Sequence, residues 1–336
     1  TCEGQYIPGL PNGAINATGN VASDGKTSLN EPSATPEAFN DTPLENGTAY
    51  PYMEIEPKKY RLRILTAGND RHLNLSMWVA ASNQADTVAA ANKGTPSATL
   101  CDGSTGKADL GKVLGATAGA LPECSEVRMV PWKDVQNTTS KFPAWWYSPQ
   151  KGGITFDDRA GGVPDPLTRG PAMVQIGTEG GFLSTPAVIN NQPINFEYNP
   201  KNILVTNVKE HALLLGPAER ADVVVDFSQF AGSTVILYND APAALPAPDL
   251  RLDYYTGNFD NTDTGGAFST LPGYGPNTRT IMQFRIKSAC ASNCSGVNNV
   301  TPAAKASTSQ DYVDQTWLNT LNTQVQTAFR ESQEPI

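Results

Sequence analysis

The sequence predicts an all-β protein, an antiparallel sandwich or barrel with long loops and a single helix toward its end. Three observations carry that prediction. Glycine and proline, 29 and 26 of 336 residues, punctuate the whole length and favour strands joined by turns over helical bundles. Apolar residues alternate with polar ones in many short runs, the pattern of strands with one buried face. Only the last part of the chain changes period, with apolar residues recurring every four positions.

In chain order, residues 1–45 are polar and turn-rich and read as a linker without a core of its own. Residues 46–289 form the expected sandwich, interrupted by a small-residue insertion at 83–125 and a long loop at 131–170. PYMEIEP and YRLRILTA open it, with Tyr60, Leu62 and Ile64 on one face and Arg61 and Arg63 on the other. HLNLSMWVA continues the alternation through Leu73, Leu75, Met77 and Val79. Further strands are expected at 126–130, 172–177, 203–208, 212–216, 221–227, 233–239 and 279–287. A second linker covers 290–306, and 307–333 is expected to be an amphipathic connecting helix. Its stripe is Val313, Trp317, Leu321, Val325 and Phe329, preceded by Ser/Thr cap candidates and by Asp311 and Asp314 as an acidic first turn. The stripe needs a surface, which could be its own sandwich, a following domain or another subunit.

Composition excludes several functions. A net charge of -9 leaves nothing to neutralise a phosphate backbone, so no nucleic-acid partner is expected. No apolar run is long enough for a membrane span. The chain begins at Thr1 with no apolar leader segment, so it is expected to be processed or to be one piece of a longer protein. Among the five cysteines no pair has CxxC spacing, which argues against a zinc or thioredoxin-like site. Two local disulfides, Cys101 with Cys124 and Cys290 with Cys294, are expected, leaving Cys2 over and suggesting an extracytoplasmic location. Asn16, Asn40, Asn46, Asn74, Asn137, Asn293 and Asn299 lie in Asn-x-Ser/Thr triplets.

Few residues carry chemistry. There is no P-loop, dinucleotide fingerprint, HExxH or GxSxG, and GTEGG at 177–181 reads as a hairpin turn. The two histidines, His72 and His211, are 139 residues apart with no adjacent cysteine or second imidazole, so a shared copper or zinc site is not expected. Glu219, Asp222 and Asp226 cluster in PAERADVVVDF, with Asp222 and Asp226 on one face of a strand. They could form a hard-cation or general-acid site, or a carboxylate network with Arg220 that ties a strand end to a loop; the second reading is favoured. Glu219 and Arg220 stand where a loop enters that strand, a place for a charge-assisted hydrogen bond. Gly68, Asn69 and Asp70 supply turn chemistry. Trp145, Trp146 and Tyr147 would anchor a long loop to the sandwich, the favoured reading, or line a pocket or stack on a sugar.

Three stretches together resemble the multicopper oxidases. They are NGTAYPYMEIEPKKYRLRILTAGNDRHLNLSM at 46–77, PAMVQIGTEGGFLSTPAVI at 171–189 and LLLGPAERADVVVDFSQFAGSTVILYNDAP at 213–242. They are similar to the middle domain of the laccase, spore-coat, bilirubin-oxidase and manganese-oxidase-like branch. The resemblance implies a cupredoxin-like Greek-key sandwich that spaces two outer domains and walls the substrate cleft. The family holds its coppers with His-x-His pairs and a Cys-His motif, and neither His-x-His nor His-Cys-His occurs here. No catalytic, cofactor-binding or metal-ligating residue therefore carries over, and copper is implied only for a parent protein. Arg61, Arg63, Asn69, Glu219, Arg220, Asp222 and Asp226 carry over as structural residues.

The expected function is that of the copper-free middle segment of an extracytoplasmic multicopper oxidase, inactive by itself and partnered by copper-binding cupredoxin domains of the same polypeptide or another chain. The parent would oxidise phenols or metal ions such as Mn(II) and reduce O2. The alternative is a non-catalytic cupredoxin-like module of an extracellular or cell-surface assembly.

Overall fold

The computed structural model describes residues 41–68, 70–80, 127, 129–130, 163–164, 168–198, 201, 206–243, 245, 252–255, 267, 276–287 and 313–332. In chain order the described strands are β1 (Leu44–Glu45), β2 (Thr48–Ala49), β3 (Tyr52–Ile55), β4 (Lys59–Leu65), β5 (Leu73–Val79), β6 (Met129–Val130), β7 (Val163–Pro164) and β8 (Met173–Thr178). They continue with β9 (Gly181–Ile189), β10 (Asn195–Tyr198), β11 (Thr206–Glu210), β12 (Leu213–Leu215), β13 (Arg220–Asp226), β14 (Thr234–Asn239) and β15 (Thr280–Ile286). Helix α1 (Gln315–Ser332) follows.

Two sheets face each other. One has the order β12-β5-β14-β15-β3 and the other β4-β13-β8-β9. Between them lies the main core, in which Leu75, Met77, Val223, Val225, Phe227, Val235 and Phe284 are buried. Alternation explains the choice of face: on β13, Ala221, Val223 and Val225 point inward while Asp222 and Val224 point out. Edge-to-face contact of Tyr60 with Phe227, and tilted contact of Phe227 with Phe284, join the sheets through three aromatic rings.

The all-β expectation is met, with two refinements. The sandwich is antiparallel except at one edge, where β3 runs parallel to β15. The single buried face expected for Leu73–Val79 is an underestimate, because Asn74, Ser76 and Trp78 on the other face of β5 are buried too. That face is covered in part by a second apolar cluster of Ile194, Phe196, Ala241 and Leu245 packed with Val208 and Leu214. Its polar groups are absorbed by an asparagine network. The Asn74 side-chain amide donates to Asp240 at 2.6 Å, and Asn239 Oδ1 accepts from the Asn74 and Ala241 backbone N–H groups. Asn191 accepts from the Met77 N–H and donates to the carbonyl of Pro171.

Helix α1 settles which surface its stripe covers. Leu321 and Val325 are buried against Val174 and Ile176, with Val313, Trp317, Leu318, Val188 and Val224 around them. From Val313 to Val325 the stripe thus packs on the outward face of its own four-stranded sheet. The acidic residue expected in the first turn instead caps it: Asp314 Oδ1 accepts from the Trp317 N–H at 3.0 Å, and the Asp314 carbonyl accepts the first helical bond from Leu318. Val313 and Leu318 flank that cap in the same apolar cluster, an arrangement of the hydrophobic-staple type. Residues 307–312 and 333 of the expected helix lie outside the described residues.

Candidate functional site

The features singled out in the sequence collect in three places, and the fold adds a fourth. The first is the outward face of the four-stranded sheet. Asp222 stands opposite Arg63 in the β13–β4 ladder, yet its carboxylate is gripped by Arg61, two residues along, with Nε at 2.8 Å and Nη2 on the other oxygen. That bond holds the Arg61 guanidinium above its ordinary value. Arg63 is exposed. Asp226 is paired with Lys59 at 3.0 Å and also accepts from the Ser228 N–H. Lys59 lies 3.8 Å from Asp314 and 5.2 Å from the centroid of the Trp317 ring, so one ammonium joins two strands to the start of the helix.

This arrangement disposes of the hard-cation reading of Asp222 and Asp226. Four residues along a strand separate them by roughly 13 Å, and each carboxylate already has a cationic side chain. The expected network of Arg220 with Glu219, Asp222 and Asp226 is not what forms: its guanidinium donates to the Ala218 carbonyl at 2.9 Å, and its charge acts on Glu179 instead.

The second place is the loop Gly216–Arg220. Glu219 Oε2 accepts from the Gly216 N–H at 2.6 Å, and Ala218 N–H donates to the Thr66 carbonyl at 2.7 Å. Thr66 N–H in turn donates to the Glu219 carbonyl. These bonds hold Ala218 at φ 66°, a left-handed backbone that costs a non-glycine residue about 1 kcal/mol or more. Across the loop, the GTEGG hairpin places Glu179 against the start of β13, where its carboxylate accepts from the Arg220 N–H at 3.0 Å. That N–H, with the residue's own, keeps the Glu179 carboxyl below its ordinary value. The turn reading of GTEGG is what the structure shows, with Thr178 paired to Gly181 and Gly181 at φ 107°.

The histidines, at the two ends of one ladder, are the third. His72 precedes β5, where its Nε2 and the Glu219 carboxylate both flank Gly216. His211 precedes β12, with Nδ1 2.7 Å from the Ala212 carbonyl oxygen. Because β5 and β12 are antiparallel, the two imidazoles sit at opposite ends of one ladder, on the order of 15 Å apart. They do not fit a shared copper. Among the described residues no three His, Cys, Asp or Glu side chains come together as a metal site. The cysteines, Asn69 and Trp145–Tyr147 lie outside the described residues.

The fourth place was not foreseen. Buried Asp253 accepts from Arg71 Nη2 at 3.2 Å and from the Ala243 N–H, and lies 3.8 Å from Arg279, whose guanidinium stacks 4.0 Å above the Tyr255 ring. Burial pushes the Arg71 guanidinium down, opposed by Asp253 and reinforced by Arg279. The only sequence signal was Arg71 beside the Gly68–Asp70 turn and an aspartate before the double tyrosine; nothing local joins positions 182 residues apart.

No family model matches the chain. It is 48% identical over 50 residues to a laccase of Bacillus subtilis (strain 168), a match covering 15% of this chain and 10% of that laccase. A laccase of Haloferax volcanii is 43% identical over 51 residues, covering 15% and 9%. The match therefore spans about a tenth of the length of these curated relatives. Among solved structures, a multicopper oxidase McoA variant from Aquifex aeolicus aligns over 82% of this chain and 31% of its own, at 18% identity and a TM-score of 0.32. The laccase-like multicopper oxidase CueO from Ochrobactrum sp. aligns at 12% identity and a TM-score of 0.28, covering 80% of this chain and 26% of that chain. Over those 50 residues the chain is similar to laccases, and its described fold is a β-sandwich with a helix packed on the outer face of one sheet.

Proposed function

We propose that this chain is the copper-free middle segment of an extracytoplasmic multicopper oxidase, serving as scaffold between copper-bearing cupredoxin domains and as one wall of the substrate cleft. The observation that carries this reading is the 48% identity over 50 residues to a laccase, in a chain with two histidines that stand apart. In the parent, copper would supply one-electron oxidation of phenols or of metal ions such as Mn(II), coupled to reduction of O2. The residues of this chain contribute stiffness. The Arg61–Asp222 and Lys59–Asp226 pairs and the clasped Gly216–Arg220 loop fix the sheet on which the neighbouring domains would bear.

Purified residues 1–336, loaded with Cu(II) and freed of unbound metal, are expected to retain far less than one copper per chain and to oxidise no phenol. Stoichiometric copper or laccase activity would overturn the proposal. The reading frame is expected to carry His-x-His codons before Thr1 and His-Cys-His codons after Ile336. Their absence would favour a non-catalytic module.

A further inference from the structure

Of the seven Asn-x-Ser/Thr triplets, two lie wholly among the described residues, and the fold treats them in opposite ways. Asn74 and Ser76 are 0% and 1% exposed, and the Asn74 side chain is bonded to Asp240 and to the Ala212 N–H. Asn46 sits at the tip of the β1–β2 hairpin, where Glu45 pairs with Thr48 across a two-residue turn. Asn46 at φ 49° and Gly47 at φ 85° give that turn the type I′ form, the one whose twist matches that of its two strands. Asn46, Gly47 and Thr48 are all exposed. The Asn46 amide has an exposed contact with the neighbouring Glu45 carboxylate at 3.2 Å, and a Cβ built on Gly47 would meet nothing within 4 Å.

We propose that Asn46 is an acceptor site for an N-linked glycan, and that Asn74 is not. The proposal rests on the extracytoplasmic reading above. Transfer joins Asn46 Nδ2 to C1 of the first sugar of a lipid-diphosphate-linked oligosaccharide. The bond from C1 to the diphosphate oxygen breaks, the lipid diphosphate departs, and one amide proton passes to a base of the transferring enzyme. The sugar would stand beside Leu44, which at 64% is the most exposed large apolar side chain among the described residues.

The test is glycopeptide mapping of the full chain secreted from a eukaryotic host, read on the intact glycopeptide because an Asn-Gly pair can lose ammonia unaided. The Asn46 peptide is expected to carry the glycan and the Asn74 peptide to be bare, since a sugar on Asn74 would prevent the sandwich from closing. Asn46→Gln and Thr48→Ala should each abolish the modification at this site, and Thr48→Ser should retain it. A bare Asn46 peptide, or a glycan on Asn74 of the secreted chain, overturns the site. Either result leaves the copper measurements above untouched, so the two readings fail separately.

Discussion

Replacing Lys59 by Met keeps the length of the side chain and removes its charge, which makes it the sharpest probe of how the helix is held. Asp226 is 4% exposed and would keep only the Ser228 N–H among the partners named above. Breaking a buried ion pair from one side costs about 3–5 kcal/mol, but Lys59 is 30% exposed and water can replace part of what is lost. About 2 kcal/mol is a reasonable share, to which the lost ammonium–Trp317 contact adds about 0.5–1 kcal/mol. The 3.8 Å contact with Asp314 adds little, because such exposed pairs contribute about 0–1 kcal/mol. Urea unfolding followed by far-ultraviolet circular dichroism should therefore show Lys59→Met to be less stable by about 2–3 kcal/mol. In an Asp226→Asn background the same substitution should cost only about 1 kcal/mol, because the orphaned charge is already gone. A loss under about 0.5 kcal/mol, or an equal loss in both backgrounds, would refute the argument that Lys59 couples strand and helix.

Three further outcomes follow from other contacts. Asn239→Ala leaves the Asn74 and Ala241 N–H groups without their shared acceptor in a fully buried site, and should cost about 3–4 kcal/mol in the same unfolding assay. Ala218→Gly should raise stability by about 0.5–1 kcal/mol by relieving the left-handed backbone, and a destabilised variant would show that φ 66° is not a strained position here. Glu179→Gln tests pH dependence. Because the folded carboxyl is held below its ordinary value, its contribution is complete above about pH 4.3 and disappears as pH falls through the lower folded value. The variant should therefore be less stable than the parent at pH 7, with the gap closing toward strongly acid pH, as thermal melts across that range would record.

Period-two patterning was a reliable guide wherever one face of a strand meets the core. Tyr60, Leu62 and Ile64 line the interior and Arg61 and Arg63 the outside, as alternation requires. It gave no strand at β9, which runs through Pro186 and tolerates it because the strand is an edge. It was equally blind to what covers the second face of β5, since asparagines that look like loop or surface residues are buried in mutual hydrogen bonds. Register was the deeper limit. Alternation placed Asp222 with Asp226 on one face of their strand, but only the ladder shows that Asp222 stands opposite Arg63 and reaches back to Arg61. Arg220, two residues before it, donates to a backbone carbonyl instead.

The parallel pairing of β3 with β15 has a mechanical meaning. The first strand of the sandwich and the last lie side by side in the same direction, with Tyr52, Met53, Glu54 and Ile55 opposite Gln283, Phe284, Arg285 and Ile286. The flanking chain therefore joins this pair at opposite ends. A pull along the polypeptide would shear all of these rungs at once, including the bonds from Gln283 to Pro51 and from Lys287 to Ile55, and could not peel them open one at a time. A domain set into a longer chain in this way resists tension passed along the backbone, and the edge that looks weakest from outside becomes the latch that keeps the sandwich shut.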